Sequence, residues 1–232
     1  MKKLLMIVIG CILFLQACKL DDENDAKMQM KGEVTMSEQL IYMTEQGETN
    51  EVSRLVMEDV DINAQDSIGR TAVMIATYNE DVETVKVLLD AGADVNIQDD
   101  MKNSPFLYAG AEGYLEILRL TIDAGANPAI TNRYGGTALI PASEHGYVEV
   151  VEELLTRTPI DVNHINNLNW TALMEAVILN NGNKKQQETI RLLIKHGADV
   201  NIPDKNNITP LQHARIKGFN EIAELLIEAG AK

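Results

Sequence analysis

From Asp66 onward the chain sets short apolar runs between polar punctuation, and the arrangement recurs with a long period. Thr71, Ser104, Thr137, Thr171 and Thr209 fall into register at intervals of 33, 33, 34 and 38 residues. Four residues of turn stand before each of them: DSIG, DDMK, NRYG, NNLN and DKNN. A short run with helical spacing follows, for example TALIPASEHG, and its leading hydroxyl is placed to cap a helix. A second run then carries paired apolar residues, as in Val87–Leu88–Leu89, Leu154–Leu155 and Leu225–Leu226. Gly92, Gly125, Gly197 and Gly230 stand where those second helices should stop. The pattern predicts an all-α solenoid of about six helix-turn-helix units joined by short β-hairpin-like turns.

The boundaries follow at approximately 35–65, 66–98, 99–131, 132–165, 166–203 and 204–232. The fourth turn residue is Gly69, Gly135, Asn169 or Asn207, types that tolerate positive φ. Lys102 is the exception, so its turn should be strained or differently shaped. The first unit has no preceding hairpin and is polar at Gln39, Thr44, Glu45 and Gln46, as a terminal capping unit should be. Ser37 and Asn50 are its candidate helix caps. An insertion at Asn181–Lys185 accounts for the 38-residue interval and should lengthen the loop between the helices of the fifth unit. Glu221, Glu224 and Glu228 give the last helix a polar outer face.

Upstream of the repeats, residues 1–18 read as a leader. Lys2 and Lys3 precede an apolar stretch of 12 residues, Leu4–Leu15. It is shorter than the roughly 20 residues a span requires and suits a cleaved signal peptide. The sequence Leu15-Gln16-Ala17-Cys18 resembles the lipobox of bacterial lipoproteins. The resemblance implies that Cys18 becomes the lipidated first residue of the mature chain, and that Cys11 leaves with the leader. Two lipid attachments on one residue are enough for stable anchoring. Lys19 at the second mature position resembles the pattern that permits transfer to an outer membrane where the host has one. Residues 19–34, polar and without apolar period, read as a flexible acidic tether.

The repeat array resembles ankyrin repeat proteins across residues 35–232. GRTAVMIA, NSPFLYAG, GGTALIPA, NWTALMEA and ITPLQHA stand where that family has G-x-T-P-L-H-x-A. Only Thr209-Pro210-Leu211 keeps the full T-P-L, and Met74, Leu107, Ile140, Met174 and Gln212 occupy the place of the family's His. The inter-repeat hydrogen bonds of that His should therefore be absent or replaced. The resemblance, closest to a bacterial subgroup without established enzymatic activity, implies a concave face lined by the first helices.

Net charge is −15, and losing Lys2 and Lys3 with the leader makes the mature chain more acidic still. Such a surface repels phosphate backbones, which sets nucleic acid aside and favours either simple solubility or a basic partner. Both cysteines, Cys11 and Cys18, precede the array, so it can build no disulfide, thiolate zinc site or thiol nucleophile. His145, His164, His196 and His213 lack metal-binding spacing, and no phosphate loop or nucleophile elbow is present. No catalytic residue, metal or cofactor is expected.

Two candidate binding constellations remain. Glu144, His145, Glu175 and His213 fall on predicted first helices of consecutive units and should share the concave side as a polar patch. The third turn residues are Ile68, Met101, Tyr134, Leu168 and Asn206, with Trp170, the chain's single tryptophan, beside them. Such a row of apolar tips either folds back onto neighbours or anchors a partner. The expected function is a lipid-anchored, monomeric, non-enzymatic protein-binding module of the cell envelope, facing the extracytoplasmic side. An immunity-type inhibitor of a toxin or envelope enzyme is the alternative. A hydrolase or metal enzyme built on Glu175 and His213 is the alternative of another class.

Overall fold

The computed structural model describes residues 34–232. Twelve helices occupy them in pairs: α1 (Met36–Glu45) with α2 (Thr49–Leu55), α3 (Ala72–Tyr78) with α4 (Val82–Asp90), and α5 (Pro105–Glu112) with α6 (Leu115–Asp123). There follow α7 (Leu139–His145) with α8 (Val148–Arg157), α9 (Ala172–Ile178) with α10 (Lys184–Lys195), and α11 (Pro210–Lys217) with α12 (Asn220–Glu228). First helices pack against first helices and second against second, so the stack has two helical layers. The all-α solenoid read from the period is the observed fold. Among the described residues the only β pairing is an isolated antiparallel bridge between Gln65 and Thr71. None of those helices is long and apolar enough to cross a membrane.

The core lies between the layers as one continuous cluster. Phe106, Leu139, Leu173 and Leu211 enter it from first helices, and Leu88, Leu118, Leu154, Leu193 and Leu226 from second. Met74, Leu107, Ile140 and Met174, in the place of the family His, are all buried. An apolar layer replaces the expected polar one there.

Caps explain where the first helices begin, and one cap departs from expectation. The hydroxyls of Thr71, Ser104, Thr171 and Thr209 accept the backbone N–H three residues on. Thr137 does not; its Oγ1 is buried with no partner among the described residues. The cause is Pro141. A proline there has no N–H to donate to the Thr137 carbonyl, so the Ile140 N–H takes that carbonyl instead at 3.2 Å. The hydroxyl loses its donor, and α7 starts at Leu139 behind an uncapped Ala138.

Unit 1 also differs from its reading. Thr35, not Ser37, caps α1, through a reciprocal box with Glu38. Asn50 lies inside α2, whose N-cap is Glu48 without a side-chain bond. The insertion at Asn181–Lys185 is only partly loop. Asn183 caps α10, and Lys184 and Lys185 form its first turn, giving the helix 12 residues.

Each projecting turn is built by its first residue. Oδ1 of Asp66, Asp99, Asn132, Asn166 and Asp204 accepts the N–H groups two and four residues on, in all five turns. At Asp66 burial opposes the charge, but the N–H groups of Arg70 and Ile68 and the Arg70 guanidinium hold its carboxyl below the usual range. The fourth turn position has φ between 60° and 78° throughout, Lys102 included at 62°. The lysine therefore carries left-handed strain in an unaltered turn.

A separate ladder ties the loops after the second helices. Asn63, Asn96, Asn163 and Asn201 each accept a backbone N–H from the next unit, at Asp94, Asn127, Asp199 and Lys232. Ala129 stands in this series where asparagine is needed, and the Ile160 N–H turns to Thr158 instead.

Gly135→Val tests the turn design. A Cβ at Gly135 would lie 2.5 Å from Asn167 Oδ1, and φ there is +73°. A β-branched residue at that φ should cost about 1–3 kcal/mol. Urea unfolding should show this as a lower midpoint. A loss below about 0.5 kcal/mol, the level of an ordinary surface change, would overturn the turn argument.

Candidate partner-binding cleft

Along the projecting turns the tip residues stand out into solvent. Ile68, Met101, Tyr134 and Leu168 are 51 %, 51 %, 56 % and 45 % exposed. The row therefore projects rather than folding fully back. Neighbouring turns are joined beneath the tips by backbone bonds, Asp100 N–H to the Ile68 carbonyl and Asn167 N–H to the Tyr134 carbonyl. His164 Nε2 lies 2.7 Å from the Gly135 carbonyl and fastens the same pair of turns.

Between the turns of units 4 and 5 and the first helices of units 3 to 5 lies an open cleft of about 390 Å³. Tyr134, Leu168 and Trp170 line it from the turns, Tyr108 from α5, and Ile140 and Pro141 from α7. Its acidic members are Glu112, Glu144 and Glu175. Arg133 also borders it, with its guanidinium stacked 4.8 Å from the Tyr134 ring centre and its Nη1 near Met101 Sδ.

Glu175 is the unusual group. It sits in the first turn of α9, four residues after the Thr171 cap, and is 5 % exposed. Asn166 Nδ2 donates to its Oε1 at 2.8 Å. Among the described residues its Oε2 has no hydrogen-bond partner. Burial pushes its carboxyl up to about 7, the Glu144 charge adds to the rise, and the Asn166 bond opposes it.

Beyond the cleft, aromatic rings continue from the end of α3 through α5 to the N-cap of α6. Tyr78 and Tyr108 meet edge to face at 4.5 Å, and Tyr108 and Tyr114 at 6.1 Å. Tyr78 donates to Asp99 and accepts from Asn103 Nδ2. Burial, then the Asp99 carboxylate, pushes its hydroxyl up to about 12.

The predicted polar patch is therefore only half assembled. Glu144 and Glu175 share the cleft. His145 is exposed at the end of α7, its ring 5.3 Å from that of Tyr147. His213 holds the position in α11 that Glu175 holds in α9, but its Nε2 lies 3.0 Å from Asp204 Oδ2 and it does not line the cleft. Asp204 is in turn held below the usual carboxylate range by the Ile208 N–H, with His213 contributing. An acid and a base positioned jointly by Glu175 and His213 are not what the fold provides. Among the described residues no group of three acidic, His or Cys side chains suits a metal ion. Cys18 lies outside the described residues.

Sequence reasoning passed over Tyr108, Glu112 and Asn166. A signal for Tyr108 existed, since it also stands four residues after its unit's cap, as Glu175 does.

Comparison with known proteins agrees with this architecture. The family model for ankyrin repeats (3 copies) matches residues 12–99, 40–132, 106–204 and 160–232. The ankyrin repeat protein YahD of Escherichia coli strain K12 is 43 % identical over 191 residues, covering 82 % of this chain and 95 % of its own. A crystallised ankyrin repeat domain of Acinetobacter baumannii AYE is 49 % identical with a TM-score of 0.81, covering 83 % of this chain and 98 % of its own. The ankyrin repeat protein EF0377 is 38 % identical with a TM-score of 0.79, at 82 % and 96 % coverage.

Proposed function

This chain belongs to the ankyrin repeat family, and on that premise we propose that it is a non-enzymatic module binding a protein partner through the cleft of units 3 to 5. The observation that carries this reading is the row of half-exposed tips leading into an aromatic cleft. Ankyrin repeats are protein–protein interaction modules, and aromatic residues set beside a depression are the usual energetic centres of such contacts. A partner recovered by pull-down from host membranes should bind Tyr134→Ala and Trp170→Ala more weakly, each by about 2 kcal/mol. The convex-side change Glu116→Lys should alter affinity little. Circular dichroism controls for folding, since Trp170 is partly buried. If both aromatic variants stay folded and bind normally while Glu116→Lys abolishes binding, the surface is misassigned.

In the same proposal, the module is held at the extracytoplasmic face of a membrane by lipid on Cys18. The lipobox-like Leu15-Gln16-Ala17-Cys18 supports this. Cys18→Ser should move the protein to the soluble fraction and remove the acyl mass from its N-terminal peptide. A variant that stays on the membrane and lacks acyl chains overturns the anchor. An immunity-type inhibitor would use the same surface, and a toxic or enzymatic partner in the pull-down would identify that role.

A further inference from the structure

Resting on that reading of the cleft, we propose that it receives one cationic side chain of the partner, arginine for preference, against Glu144 and Glu175 and between the rings of Tyr108, Tyr134 and Trp170. Two independent features point there. One is charge without compensation: Glu112, Glu144 and Glu175 border the cleft, and none of them belongs to an ion pair among the described residues. The other is Glu175 itself, more than nine-tenths buried yet bonded through a single oxygen. Burying a carboxylate so incompletely satisfied is costly unless a positive group compensates it. Left empty, the site meets that cost by keeping a proton on Glu175 up to about pH 7. A guanidinium would take the proton's place and supply several donors at once.

Arginine suits the walls as well as the floor. Its planar fork matches carboxylates and stacks on aromatic faces, where a cation gains from the ring quadrupole. Arg133, the one base at the rim, already makes this stacking contact on Tyr134. It leaves the acids unpaired while doing so. The overall charge of −15 would draw a basic segment toward the surface.

Trp170 is the only tryptophan in the whole chain, so its fluorescence reports on this cleft alone. The full chain in mild detergent should be titrated with blocked alanine pentapeptides carrying arginine, lysine or neutral citrulline at the centre. Arginine should bind about tenfold or more tightly than citrulline, with lysine between them, because only the charge separates arginine from its isostere. Glu175→Gln and Glu144→Gln should each weaken the arginine peptide severalfold and leave the citrulline peptide unchanged. Equal binding of arginine and citrulline, no response to either, or full discrimination in a folded Glu175→Gln variant overturns the proposal. Loss of partner binding in Tyr134→Ala and Trp170→Ala with no arginine preference would sink this inference alone. An arginine preference with partner binding indifferent to those two variants would instead sink the broader reading.

Discussion

Phe106→Ala should destabilise the array by about 3–5 kcal/mol, the range for emptying a large buried aromatic site. Phe106 is the bulkiest of the fully buried side chains, at 1 % exposure, and lies in α5 directly behind the Ser104 cap and Pro105. Its neighbours cannot close the hole cheaply. Helix α5 is seated tightly on α7, where a Cβ at Gly110 would come within 2.9 Å of Ala138 Cβ. The position within the stack adds a second consequence. Each unit is stabilised by its own packing and by its two neighbours, so a weak third unit separates units 1 and 2 from units 4 to 6. Urea unfolding followed by circular dichroism should therefore show a lower midpoint and a broadened or split transition. Met101→Ala, at a half-exposed tip, should stay within about 0.5 kcal/mol. A Phe106→Ala cost below about 1 kcal/mol with one sharp transition would mean that the packing of unit 3, and its coupling to its neighbours, does not depend on this ring.

The repeat made the architecture legible because each unit states its turn, cap and stop in the same places. Local departures were legible only in part. Thr137 looks identical to Thr71 and Thr171 in register; what disables it is Pro141, four residues on, acting through a missing N–H. The composition of the cleft was harder to read. Tyr134, Trp170, Glu144 and Glu175 can each be picked from the sequence. Which of them meet depends on the offset between a turn and the helices beside it, and a period along the chain does not contain that offset. Glu175 and His213 show the limit. They occupy the same position in adjacent units, yet Asn166 offers an amide N–H to the glutamate while Asp204 offers a carboxylate to the histidine. One atom at the base of each turn decides whether the neighbouring side chain meets a neutral amide, as Glu175 does, or a carboxylate, as His213 does.

That difference gives Glu175 a measurable role in stability. In the unfolded chain its carboxyl titrates near 4.5, and in the fold near 7. Because the native value is the higher one, the fold is favoured by the protonated form. This contribution is complete below about pH 4.5, erodes as pH rises, and is gone above about pH 7. The interval corresponds to about 3 kcal/mol at 1.36 kcal/mol per unit, an upper value because the cleft is open to water. Glu175→Gln removes the ionisation and retains an oxygen to accept from Asn166. The variant should match the parent near pH 4.5 and exceed it increasingly toward pH 8, by up to that amount. Taking the difference between the two proteins matters, because Asp66, Glu153 and Asp204 are all held below their usual range and drive the parent's own profile the other way at low pH. Those contributions are common to both chains and cancel. Unfolding midpoints measured across pH 4.5–8 would settle the point. A constant difference over that range would mean Glu175 is ionised in the fold throughout, and that its burial is compensated by something other than a proton.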